Sequence, residues 1–207
     1  AQISLVIAMA ATNSMLVEYG AQSKFGADIP LTVLGIVMKV FQIIISITIG
    51  MSAGCIPIVG YNFGAKRMDR CRGVLWRLMA AEFVLGAVSL VVTQCFPVQL
   101  ISLFGAEDAL YNEFAVLAFR VYLCMLPLAT VNKAAFIFMQ AMGRPVESAG
   151  LSFFREVLLA VPLVMLLPRA FGIMGVLYSM PAADVVTFFA SLFILLRTDR
   201  QLKKMGQ

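Results

Sequence analysis

Histidine is absent from the 207 residues. That absence excludes a Cys/His zinc centre and every nucleophile that depends on an imidazole base. Charge is scarce as well: Asp, Glu, Lys and Arg make up 13% of the chain, about half the share that coats an ordinary soluble globule. Cys55, Cys71, Cys95 and Cys124 form no CxxC pair, so neither a thiolate metal site nor a disulfide framework is indicated. The turn GYNFGAK at 60–66 lacks the four-residue interval and the trailing Ser/Thr of a phosphate-binding loop. A charged n-region and a cleavage site of the secretory type are missing too, and the chain opens at Ala1 within an apolar run. These absences leave no case for an enzyme, a resident metal or an organic cofactor.

What is present is hydrocarbon. Apolar residues make up 61% of the sequence and the mean hydropathy is +0.94, which identifies a membrane protein. Six apolar runs stand at 2–19, 30–57, 74–96, 112–139, 150–168 and 173–196. Runs near or above the roughly 20 residues that cross a bilayer predict helices, because an open sheet would strand its amides in lipid. The expected fold is therefore an all-α integral membrane bundle of six transmembrane helices, with a tail at 197–207.

The connecting segments carry opposite charge patterns. Segments 60–73 and 140–149, the tail and their flanks hold Lys66, Arg67, Arg70, Arg72, Arg77, Arg144, Arg197, Arg200, Lys203 and Lys204. The alternate segments hold only Lys24 and Arg169 beside Asp28, Glu107 and Asp108. The positive-inside rule places the first set, and so the C-terminus, in the cytoplasm. The same rule accounts for the net charge of +5 without a nucleic-acid partner. Gly60 and Gly64 read as the residues that end the second helix through positive φ, with Lys66 in the basic anchor behind them.

Polar residues inside the runs are the functional candidates, since a charge at bilayer depth is expensive and turns toward protein or water. Asp184 lies midway along the last run and forms one helical stripe with Thr187 and Ser191. Pro181, one turn earlier, frees a backbone carbonyl beside it. Asp184 either binds a coupling ion or pairs with Lys39 or Arg120. Lys39, about 14 Å below the end of its run at about 1.5 Å per residue, needs an inward partner. Gly35, Lys39, Gln42, Ser46, Gly50 and Gly54 recur on one face of the second helix. Gln42 offers an uncharged contact to substrate or water, as do Asn13, Asn132 and Gln140, the last two flanking Phe136 on one stripe. Asparagine in such a helix also serves as interhelical glue. Met9, Met38, Met125, Phe136 and Met180 suit a cavity that adapts to flat apolar cations. Arg155 and Glu156, a few residues into the fifth run, are expected near the cytoplasmic surface, bracing the loop that carries Arg144.

The segments GIVMKVFQIIISITIGMSAGCIPIVGYNFGAK, FMQAMGRP and PLVMLLPRAFGIMGVLYSMPAAD, with NSMLVEYG closing the first run and PAAD within the last, occur in a recognisable order and spacing. Together they resemble the second six-helix lobe of the multidrug and toxic compound extrusion (MATE) family, nearest its MepA-like bacterial branch. The resemblance implies one lobe of a twelve-helix transporter that exports small organic cations in exchange for H⁺ or Na⁺. Its implied setting is a bacterial inner membrane, its partner a missing N-terminal six-helix lobe, and its working chamber a cavity between lobes. It also implies a structural role for Arg155. Sodium-coupled members with an acidic pair carry carboxylates in the first and fourth helices of this lobe; here Asn13 and Asn132 stand at comparable depth, and Glu18 and Glu113 lie near the outer ends. A lipid-linked oligosaccharide flippase of the same superfamily would want a more cationic cavity than Lys39, Arg120 and Lys133 supply. A non-transporting scaffold would leave the inward polar stripes without purpose.

Overall fold

A computed structural model of the chain describes residues 2–105 and 108–206. Among the described residues the secondary structure is helical, without strands. Helix α1 (Gln2–Ala21) is followed by the long α2 (Asp28–Gly64), α3 (Met68–Cys95) and the short α4 (Pro97–Ser102). Helices α5 (Ala109–Tyr122) and α6 (Leu126–Ala141) form one span bent by 50°. The next span is continuous from Pro145 to Phe171 but changes pitch: α7 (Pro145–Phe153), a π-helical stretch (Phe154–Ala160) and α8 (Val161–Phe171). Helix α9 (Ile173–Met205) closes the bundle. Among the described residues five helices are long and apolar enough to cross a membrane, six spans if the bent pair counts as one.

Several boundaries differ from those expected. Helix α2 runs past Pro57 to Gly64, because a proline inside a helix removes one hydrogen bond and a long buried helix retains the rest. Gly60 and Gly64 are therefore helical residues and not positive-φ terminators. The left-handed residue of this turn is Lys66, at φ 56°, and the Arg67 N–H donates back to the Asn62 carbonyl at 2.8 Å. The expected tail continues α9 as helix to Met205. The segment read as one helix at 112–139 breaks at Leu123–Met125: Pro127 has no N–H to donate to the Leu123 carbonyl four residues back and crowds it, and it is instead accommodated in the first turn of α6.

The two sets of connecting segments lie at opposite ends of the bundle. Arg72 forms a bidentate pair with Asp199, with Nε–Oδ1 at 2.8 Å, and Trp76 donates to the same carboxylate at 3.0 Å. Arg144 donates to Gln201 at 2.8 Å and to Thr198 at 3.2 Å. These contacts gather the basic segments at one end. At the other end Lys24 pairs with Glu113 at 2.6 Å. Glu107, assigned to that end by sequence, lies outside the described residues.

Two apolar cores stack along the bundle axis. One, around Phe25, Val33, Ile101, Phe114, Phe119 and Leu177, fills the half away from the basic end. The other, around Met68, Leu75, Phe138, Met139 and Leu202, fills the basic half. Between them runs a layer of buried polar side chains that includes Thr48, Ser52, Glu82, Thr130, Asn132 and Asp184. Gly86 lets α3 approach the bend of the broken span so closely that a Cβ there would stand 2.5 Å from the Pro127 Cα.

Candidate transport site

A cavity of about 600 Å³ opens on one side of the bundle. Helix α1 supplies Met9, Thr12 and Asn13; α2 supplies Gly35, Met38, Lys39, Phe41 and Gln42. The π-helical stretch contributes Arg155 and Glu156, α9 contributes Ser179 and Met180, and Tyr122 enters from the end of α5. The spacing of Gly35, Lys39 and Gln42 puts all three on one face of α2, and that face is open to the cavity.

The electrostatic centre is the contact between Arg155 and Asp184. Arg155 Nε donates to Asp184 Oδ1 at 2.7 Å, with the two side chains 18% and 3% exposed. Arg155 lines the cavity and Asp184 stands behind it, where Asn132 Nδ2 donates to the Asp184 backbone carbonyl at 3.1 Å. The aspartate therefore pairs with Arg155 and not with Lys39 or Arg120. Arg155 correspondingly does not brace the loop of Arg144. The helix begins at Pro145 and not at 150, which puts Arg155 ten residues in, about 15 Å from the end at about 1.5 Å per residue. Glu156 beside it is buried, and its Oε2 has no hydrogen-bond partner. A π-helical stretch is a rare form that often accompanies functional positions.

The other candidates divide. Asn13, Lys39 and Gln42 line the cavity together with Met9, Met38 and Met180. Among the described residues Lys39 forms no ion pair; its ammonium lies 6.0 Å from the Phe104 ring centroid, toward the end opposite the basic cluster. Asn132, Phe136 and Gln140 are not in the cavity wall. Asn132 and Phe136 are buried among helices, and Gln140 donates to Ser148 at 3.0 Å. Their stripe faces protein because α6 packs between α2, α3 and α9. Thr187 and Ser191, on the Asp184 stripe, are likewise interior. Met125 lies in the bend between α5 and α6 and does not line the cavity.

Sequence reasoning missed the cavity positions of Arg155 and Glu156, and it missed Glu82 altogether. Glu82 stands at the midpoint of α3 with no exposure. The signal was legible in MAAEFVLG, a lone acid within an apolar helix.

The MatE family model matches residues 2–166. The chain belongs to the MatE family. Over 164 residues it is 24% identical to the multidrug export protein MepA of Staphylococcus haemolyticus, covering 78% of this chain and 35% of that protein. Over 186 residues it is 23% identical to MepA of Staphylococcus aureus (strain N315), covering 88% and 38%. An outward-facing multidrug resistance MATE family transporter superposes with a TM-score of 0.87 at 19% identity, over 98% of this chain and 44% of that one. A MOP superfamily transporter from Pyrococcus furiosus, described as having a binding pocket of reverse polarity, superposes with a TM-score of 0.85 at 16% identity, over 100% of this chain and 44% of that one. The chain thus spans less than half the length of these MATE relatives, and the solved structures share its fold as one half of theirs.

Proposed function

We propose that this MATE chain works as one lobe of a secondary antiporter that exports amphipathic organic cations in exchange for H⁺ or Na⁺ by alternating access. The observation that carries the proposal is the cavity: its wall is mostly methionine, aromatic and aliphatic, with a few neutral polar groups and three charged residues, Lys39, Glu156 and an Arg155 already neutralised by Asp184. Such a surface gains affinity for flat cations through dispersion and cation–π attraction while remaining tolerant of shape. Glu156 adds a second, buried carboxylate beside the Arg155–Asp184 pair at the cavity wall. Lys39, drawn toward Phe104, leaves the centre of the wall free of net positive charge. A flippase for a pyrophosphate lipid would meet too little free cation here.

The second six-helix lobe would complete the cavity on its open side, and a bacterial inner membrane with the C-terminus in the cytoplasm is the setting that the charge pattern supports. The experiment is dye efflux from cells carrying the complete transporter, driven first by a pH gradient and then by a sodium gradient. Export that follows one gradient and stops when it is dissipated is expected. Export indifferent to both would reject antiport.

A further inference from the structure

Away from the cavity, α3 and α2 enclose a second polar site. Glu82 is 0% exposed, at mid-depth between the two apolar cores. Ser52 Oγ donates to Glu82 Oε1 at 3.2 Å. Glu82 Oε2 makes no close hydrogen bond, and the fully buried Thr48 hydroxyl, one turn earlier on α2, lies against the same carboxylate without a close partner elsewhere. From α2 the carboxylate also faces the neutral thiol of Cys55, and from α6 the Thr130 hydroxyl, which donates to the Glu82 backbone carbonyl at 2.8 Å. Among the described residues no lysine or arginine forms an ion pair with it. Asp184, the other fully buried acid, has Arg155.

A carboxylate sealed in a dry bundle without a countercharge is strongly unfavourable, so something positive must join it. The Glu82 carboxylate with the Thr48 and Ser52 hydroxyl oxygens against it forms the oxygen-lined place where that cation would sit. We propose that Glu82, Thr48 and Ser52 bind the coupling cation, a proton or a sodium ion, at a site separate from the substrate cavity. The position suits coupling. The Thr130 hydroxyl lies between the Glu82 carbonyl at 2.8 Å and the Pro127 carbonyl at 3.0 Å, which share its one proton, and Pro127 is packed against Gly86 at the 50° bend between α5 and α6. Filling or emptying the site would act on the α3 contact that holds this bend.

The inference rests on the antiport reading, so binding is tested without transport. The thermal midpoint of the purified complete transporter is measured from pH 5 to 9, and with NaCl against KCl at constant ionic strength, in the wild type and in Glu82→Gln. If sodium is the occupant, a rise specific to NaCl is expected in the wild type and lost in Glu82→Gln. Thr48→Val should then weaken the apparent sodium affinity by about tenfold, the scale of a lost supporting ligand. If the proton is the occupant, NaCl and KCl act alike, and the pH dependence of the midpoint flattens in Glu82→Gln. Wild-type pH and sodium responses retained in Glu82→Gln overturn the proposal. Should Glu82→Gln fail to fold, the double variant Thr48→Val/Ser52→Ala decides on the same responses: altered supports, unchanged overturns. Failure of antiport itself would show differently, as efflux indifferent to both gradients with the binding response intact.

Discussion

The pair Arg155–Asp184 concentrates the energetics of the cavity wall in one contact. Removing one partner of a buried ion pair strands the other, at a cost of about 3–5 kcal/mol, whereas replacing both with apolar groups of similar size is close to neutral. Arg155→Met alone and Asp184→Leu alone are therefore expected to lower the thermal midpoint and membrane abundance of the complete transporter, and the double variant to restore most of both. Efflux in the restored double variant then separates the roles. Wild-type efflux there would make the pair structural only; normal abundance with little efflux is the expected result for a working wall. The aspartate was legible because an acid within an apolar run is conspicuous. Its partner was not, because Glu147 and Arg144 made the fifth helix look as though it began at 150. Pro145 at the first helical position and Glu147 in the first turn were the better signals. Glu82 was equally conspicuous in sequence, but the Thr48 and Ser52 hydroxyls opposite it are hidden among isoleucines on the face of α2 opposite the recognised stripe.

Among elements, prolines misled in both directions. Pro57, expected to close its run, sits inside a helix that continues past it, whereas the chain before Pro127, expected to be helical throughout, turns and bends; Pro181 lies inside a continuous helix as expected. What decides is packing: α3 presses on the start of α6 through Gly86, fixing the bend from outside. Adding a methyl group there pushes on backbone atoms at 2.5 Å that cannot swing aside, and overpacking of this kind costs about 1–3 kcal/mol. Gly86→Ala is expected to lower the thermal midpoint and to reduce efflux. Gly73→Ala in the same helix meets nothing within 4 Å and should be neutral or raise stability by up to about 1 kcal/mol through helix propensity. Equal destabilisation by both substitutions would show that the close approach of α3 to the bend is not what holds it.

At the level of the whole molecule, the membrane character and the two-sided arrangement were legible because they depend on composition and on charges counted over segments, not on any single boundary. The contacts Arg72–Asp199 and Arg144–Gln201 gather segments that sequence had grouped by charge alone, and Lys24–Glu113 does the same at the other end. The cavity was less legible, since its wall takes residues from five separated segments and stays open on one side. The proposal that the basic end faces the cytoplasm rests on the basic excess, because lysine and arginine near span ends resist translocation. In a cysteine-free complete transporter, Lys204→Cys at the basic end should escape an impermeant maleimide added to intact cells and react once they are permeabilised. Gln22→Cys, exposed in the turn between α1 and α2, should react in intact cells. The reverse pattern would invert the lobe, put the basic cluster outside and remove the cytoplasmic assignment of the C-terminus, while leaving the cavity and its ion pair as they stand.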